Sequence, residues 1–208
     1  EEPRTSIINL WIAMEAIAGG SGNNSIGQRV QSAIRPVVVW RRTDKVITYL
    51  GIQLKNLMNY LGEDIDQGLM PASSRTKIDR RDLLACLTGP EKNPGIMGLF
   101  SHTHVSPLMC YRLYAAWHEY SDPKAMKSAL NLSMKRTSWQ LLRIYRARNL
   151  LVHKGERNDY VWRLLENAQY YVSTVLSRIL HDLSVYQDWS IETSLESYRQ
   201  KFDQLIER

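Results

Sequence analysis

The feature of this sequence that most constrains its fold is the spacing of its apolar residues, which recur every three or four positions. One such stripe keeps helical period over about seven turns, and it consists of Val161, Leu164, Leu165, Ala168, Tyr171, Val172, Val175, Leu176, Ile179 and Leu183. A second stripe near the N-terminus contains Ile7, Leu10, Trp11, Met14, Ile17 and Ala18. Only residues 37–40 look strand-like. The pattern therefore predicts an all-α helical bundle.

Helix boundaries are indicated by prolines and capping residues. Ser106-Pro107 and Asp122-Pro123 each combine an N-cap residue with a proline suited to the first turn, and each predicts a helix start. We expect Asn158 or Asp159 to cap the longest helix, and a last amphipathic helix to begin after Ser190.

The first half of the chain is predicted to hold shorter elements. Gly and Asn residues at 19–24 end the first helix. A short helix at 25–35 is predicted to end near Arg35, because Pro36 disfavours a helical conformation of the residue before it. A further helix is expected from about Thr43 to Leu61.

The domain organisation follows from a change in composition. Residues 62–77 and 88–105 are rich in Gly, Pro, Ser and Lys, which predicts loops around a short helix at 79–87. We expect one helical domain spanning 1–208, with an irregular insertion near 62–105. Because the chain begins with Glu1 rather than Met, we also expect a processed chain or a fragment of a longer protein.

Composition narrows the class of protein. A formal net charge of +6 suits a polyanionic partner such as RNA, but many proteins without such a partner are equally basic. Cys86 and Cys110 match neither a disulfide framework nor a zinc spacing, so we expect free thiols in a cytoplasmic protein. No apolar run approaches the roughly 20 residues of a membrane span. His102 and His104 have no third ligand at a convincing spacing, and we expect no metal ion and no cofactor.

The stretch RARNLLVHKGERND at 146–159 contains the residue types that RNA cleavage requires. Histidine is a residue type that can move protons, and arginine is one that can grip phosphate oxygens; the stretch contains His153 and Arg148. The apolar triplet 150–152 between them is expected to anchor the helix in the core. On an ideal helix Arg148 and His153 point roughly 140° apart, whereas Asn149 and His153 share a face. Joint action therefore requires a helix that deforms near His153, where Gly155 offers an end, or two copies of the chain.

Two segments resemble a known family. The string Arg148-Asn149-Leu150-Leu151-Val152-His153 resembles the Arg-polar-x-x-x-His signature of the HEPN family (higher eukaryotes and prokaryotes nucleotide-binding). The opening INLWIAMEAI, with Trp11 and Glu15, resembles the N-terminal helix of Apea-like HEPN domains. The resemblance spans residues 5 to about 185. HEPN domains are all-α, and many are metal-independent endoribonucleases of toxin–antitoxin and phage-defence systems.

The resemblance implies RNA cleavage at a cleft between two HEPN protomers, each of which presents its Arg and His. We therefore expect RNA as substrate, and a homodimer through the motif-bearing helices or an intramolecular pair in a longer protein. An antitoxin or a sensor domain is a further expected partner. In this scheme His153 is the general acid or base, Arg148 the phosphate clamp and Asn149 the polar positioning residue.

Further residues are assigned to the same site. Glu15 lies on the edge of the first apolar stripe, so we expect it to be partly buried and to orient Arg148 or His153, with a solvated glutamate as the alternative. The RNA backbone is expected to contact the surrounding cations, for which a solvated basic face is the alternative; they are Arg143, Arg146, Lys154 and Arg157.

Two other functions stay open at the level of sequence. One is a non-catalytic HEPN-like scaffold that binds RNA, nucleotide or a partner protein. The other is an unrelated helical interaction module in which the motif is a coincidence. The functional hypotheses predict that Arg148, Asn149 and His153 open to one basic cleft with Glu15 nearby, whereas coincidence allows them to point apart into solvent.

Overall fold

A computed structural model of the chain describes residues 3–19, 24–61, 80–88, 94–154 and 161–207. Throughout these residues the regular secondary structure is α-helical, which confirms the predicted all-α class. The helices are α1 Pro3–Ala18, α2 Ile26–Leu61, α3 Arg80–Thr88, α4 Pro94–Thr103, α5 Pro107–Ser121, α6 Pro123–Lys154, α7 Val161–Val185 and α8 Ile191–Glu207. None of the helices in these ranges combines the length and the apolar character that a membrane crossing needs. The HEPN-like arrangement of the bundle stays a prediction.

Three helices begin where predicted, and a side chain caps each of them. Ser106 Oγ accepts a hydrogen bond from the Met109 amide at the start of α5, at 3.4 Å. The Asp122 carboxylate accepts from the Lys124 amide at 3.0 Å and from the Ala125 amide at 3.2 Å at the start of α6. Ser190 Oγ does the same for α8, with the Thr193 amide at 3.2 Å. These bonds satisfy backbone donors that have no partner inside the helix.

The remaining capping prediction concerns α7. Its proposed cap, Asn158 or Asp159, lies outside the described residues. The expectation that α7 is the longest helix is wrong, because it has 25 residues whereas α2 has 36 and α6 has 32.

The predicted break at Pro36 is also wrong, since α2 continues through this residue. A proline inside a helix costs about 3 kcal/mol because it removes one backbone hydrogen bond. Residues on both sides of it are buried, however, including Ile34 and the strand-like run Val37–Val39. Each fully buried Val or Ile stabilises the fold by about 1.5–3 kcal/mol. Burial of the continuous helix therefore outweighs the local preference to end near Arg35.

The predicted loop at 88–105 is wrong over α4. Ile96, Leu99 and Thr103 lie three and four residues apart in this helix, and all three are buried. This burial overrides the low helix propensity of Pro and Gly in the segment. The predicted helix at 79–87 corresponds to α3. Residues 62–79 and 89–93 lie outside the described residues.

The chain divides into two compact units. Glu1–Arg41 and Leu130–Arg208 form the first unit, and Arg42–Ala129 forms the second, which contains the region predicted as an insertion. The core of the second unit includes Leu54, Met58, Leu83, Leu87, Ile96, Leu99 and Leu113. The core of the first includes Ile7, Trp11, Met14, Ile34, Leu141, Ile144, Leu164, Ala168 and Val175. The single domain over 1–208 stays a prediction.

In the first unit a buried polar network joins α7 to α8. Asp182 on α7 is only 5% exposed. Its Oδ2 accepts a hydrogen bond from Ser194 Oγ at 2.6 Å, and its Oδ1 accepts one from the Tyr198 hydroxyl at 3.3 Å. Arg178 Nε donates to the same hydroxyl at 2.9 Å, and its guanidinium carbon lies 5.5 Å from the centroid of the Tyr198 ring. Each member of the network thus has a hydrogen-bond partner.

Candidate functional site at the end of α6

The motif residues lie at the C-terminal end of α6, which stays α-helical through His153 and ends at Lys154. Arg148 and Asn149 are half-buried, whereas His153 is exposed. Because the helix does not deform before His153, ideal geometry separates Arg148 and His153 by roughly 140° around its axis. Asn149 and His153, four residues apart, share a face.

The Arg148 guanidinium is oriented by its neighbour. Its Nη1 donates a hydrogen bond to Asn149 Oδ1 at 3.0 Å. Its Nε is buried and finds no hydrogen-bond partner among the described residues. Such orphaned donors are rare in folded proteins and cost about 1–3 kcal/mol each. The arginine is therefore positioned by an amide and keeps unused donor capacity.

Glu15 is connected to α6 through two aromatic rings. The predicted partial burial of its side chain is confirmed, and its carboxylate accepts a hydrogen bond from Trp11 Nε1, one turn earlier on α1. The Trp11 ring is fully buried, and its centroid lies 5.2 Å from that of Tyr145, three residues before Arg148. The orienting role of Glu15 toward Arg148 or His153 stays a prediction.

The apolar triplet anchors the helix less completely than predicted. Leu151 packs against the core of the first unit, and Leu150 is half-buried. Val152, however, is 47% exposed. The helix end thus presents one apolar side chain to solvent directly beside His153.

The predicted RNA-binding cations are distributed along the same helix. Arg143 and Arg146 are exposed on α6, and Lys154 is its last residue. Arg157 lies outside the described residues. Their proposed contact with RNA stays a prediction.

The charge of α6 as a whole extends beyond the motif residues. This helix has 32 residues and contains no Asp or Glu. Its eight cationic residues are Lys124, Lys127, Lys135, Arg136, Arg143, Arg146, Arg148 and Lys154. A helix of this composition has no carboxylate of its own to neutralise those charges, so it favours a negatively charged partner.

The fold and these residues define an all-α protein with an arginine- and histidine-bearing helix end. Comparison with protein-family models, with curated proteins and with solved structures returns no match to this chain. The resemblance to HEPN domains therefore rests on the residues of the motif and of the first helix.

Proposed function

We propose that this chain is a metal-independent endoribonuclease of the HEPN type that serves a toxin or defence system. The observation that carries the proposal is the end of α6, where Asn149 holds the Arg148 guanidinium and His153 is exposed one turn further on. The absence of carboxylates along the same helix supports a polyanionic substrate.

The proposed reaction is an internal transesterification of RNA. The 2′-oxygen forms a bond to phosphorus as the bond from phosphorus to the 5′-oxygen breaks. One proton leaves the 2′-hydroxyl and one reaches the departing 5′-oxygen, so the products are a 2′,3′-cyclic phosphate and a 5′-hydroxyl. His153 carries one of these protons, and Arg148 stabilises the negative charge on the phosphorane oxygens.

The site is proposed to be composite because α6 is helical through both residues. In a dimer with two-fold symmetry, each site combines Arg148 of one protomer with the partner's His153. The exposed side chain of Val152 offers apolar contact area beside His153, as a dimer interface requires.

The proposal is tested by incubating the protein with total RNA in EDTA and identifying the product ends. We expect the wild-type protein to leave 2′,3′-cyclic phosphates and His153→Ala to cleave at least about 100-fold more slowly. His181→Ala is the matched control, because His181 is an exposed histidine on α7 and should be dispensable. Undiminished cleavage by His153→Ala in EDTA would refute the assignment. RNA binding without any products would favour the non-catalytic scaffold instead.

A further inference from the structure

Away from the motif, the first unit contains an open groove of about 400 Å³, a volume typical of small-ligand sites. Residues of α2, α6 and α8 line it; they are Arg35, Asn131, Met134, Lys135, Ser138, Trp139 and Phe202. The lining combines a large aromatic ring, two cations and neutral hydrogen-bonding groups. This combination suits a flat ring that carries a negative charge.

The aromatic wall of the groove is Trp139, whose side chain is 72% exposed. Indole is largely apolar, so a ring left in water on a helix surface is available to a ligand. Stacking on an aromatic ring is the usual way in which proteins hold an unpaired nucleobase, because every base has a flat face.

The polar side of the groove is built around Arg35. Its Nη1 donates to Ser138 Oγ at 3.1 Å, and its Nε is buried without a partner among the described residues. Partial burial lowers the pKa of the Arg35 guanidinium, whereas the Asp203 carboxylate opposes this shift. Asp203 thus offsets part of the charge of Arg35. Lys135, exposed one turn before Trp139, adds a second cation.

The groove is connected to the motif by the exposed side of α6. Trp139 and His153 are 14 residues apart on this helix, which places them about 21 Å apart along its axis. Arg143 and Arg146 are exposed between them. A single RNA strand covers this distance with about six nucleotides at the stacked spacing, and with fewer when it is extended.

We infer that this groove binds an unpaired nucleotide of the RNA whose scissile phosphate lies at His153. The base stacks on Trp139, a phosphate contacts Lys135, and the Arg35 guanidinium supplies a second cation on the polar side of the groove. The inference rests on the proposed ribonuclease function and deepens it. It makes the preferred substrate single-stranded and several nucleotides longer than the scissile dinucleotide.

The binding test uses the His153→Ala protein, so that RNA stays intact, and a fluorescent 12-nucleotide oligouridylate followed by anisotropy. Adding Trp139→Ala should weaken binding at least about 5-fold, as expected for the loss of one stacked base. Trp139→Phe should keep most of the affinity. Tyr111→Ala, which removes an exposed aromatic ring from α5, should leave it unchanged. An unchanged affinity of the Trp139→Ala protein would overturn the inference, and so would a 12-mer that binds no more tightly than uridine monophosphate.

A cleavage test separates this inference from the proposed function. With an otherwise wild-type chain, Trp139→Ala should slow cleavage of the 12-mer about 5-fold or more and leave cleavage of the dinucleotide UpA unchanged. Cleavage that is normal on both substrates refutes the groove and leaves the ribonuclease assignment intact. If the wild-type protein cleaves neither RNA, the ribonuclease assignment fails even where Trp139→Ala still weakens binding of the 12-mer.

Discussion

Arg178 and Arg148 are both half-buried arginines in the same compact unit, but their surroundings differ. Arg178 donates through Nε to the Tyr198 hydroxyl and lies over the Tyr198 ring. Arg148 donates to the amide of its own neighbour, Asn149, and its Nε stays unpaired among the described residues.

We propose that this difference separates a structural arginine, Arg178, from a functional one, Arg148. An unpaired buried donor costs free energy. Stability alone would therefore favour a hydrogen-bond partner for the Nε atom of both arginines. Departures from complete hydrogen bonding are expected at functional sites. Arg35 resembles Arg148 in this respect, since its Nε is also buried without a described partner. On this proposal the α7–α8 network serves stability, whereas Arg148 on α6 and Arg35 on α2 serve binding.

The largest expected effect comes from Arg148→Ala. Loss of the guanidinium should lower the rate of RNA cleavage by about 100- to 1,000-fold, because the phosphorane charge loses its cation. The free energy of unfolding should change by less than about 1 kcal/mol, since Arg148 forms no ion pair within the described residues. Cleavage rates on a labelled oligonucleotide and urea denaturation measure the two quantities. If the variant loses several kcal/mol of stability, Arg148 is a structural residue like Arg178, and the contrast between the two arginines is wrong.

Asp182→Ala should have the opposite profile. It leaves the buried Ser194 and Tyr198 hydroxyls without their acceptor, so the free energy of unfolding should fall by about 2–4 kcal/mol. At a temperature where the variant is folded, its cleavage rate should match the wild type. Asp188→Ala, at an exposed position between α7 and α8, is the control and should change stability little. Equal stabilities of the two variants in urea would contradict the structural role of the network.

Glu15 combines a hydrogen bond in the fold with a proposed role at the site, and two substitutions separate these roles. Glu15→Ala removes the acceptor of the buried Trp11 indole, so the free energy of unfolding should fall by about 1–2 kcal/mol. Glu15→Gln keeps a carbonyl acceptor and should restore most of this stability. If Glu15 orients Arg148 or His153, Glu15→Gln still cleaves RNA more slowly than wild type. Full activity of this variant would leave Glu15 a purely structural residue.

The smallest expected effect concerns alkaline stability. Burial and the neighbouring Tyr170 raise the pKa of Tyr171 to about 12, above the value of about 10 in an unfolded chain. Between these values the unfolded state releases a proton that the folded state keeps, so stability falls as pH rises from about 10 to 12. Tyr171→Phe should reduce this fall in urea denaturation measured at pH 9 and pH 11. It should not abolish it, because burial also raises the pKa of Tyr120 to about 12. If Tyr171→Phe leaves the pH dependence of stability unchanged, the raised pKa of Tyr171 is contradicted.

Local signals in the sequence predicted the parts of the fold that depend on neighbouring residues. Ser106-Pro107 and Asp122-Pro123 mark helix starts because capping involves only the next three residues. Arg148 and His153 were likewise placed correctly at a helix end. Pro36 and α4 were predicted wrongly, because burial against residues distant in the chain decides their conformation.

The groove could not be predicted from the sequence, because Arg35 and Trp139 lie on different helices far apart in the chain. Nothing in the local sequence distinguishes the exposed Trp139 from the buried Trp11. The lack of Asp and Glu in α6, in contrast, can be read from the sequence. It indicates the same helix that carries Trp139 and His153.

The central claim, that Arg148 of one protomer acts with the partner's His153, is tested most directly by complementation. Arg148→Ala and His153→Ala chains carrying different tags are co-expressed, and the mixed dimers are isolated through both tags. Each parent protein should be inactive. The mixed dimer should recover about half of the wild-type rate, because one of its two symmetry-related sites keeps both residues. A mixed dimer as inactive as its parents would contradict the composite site.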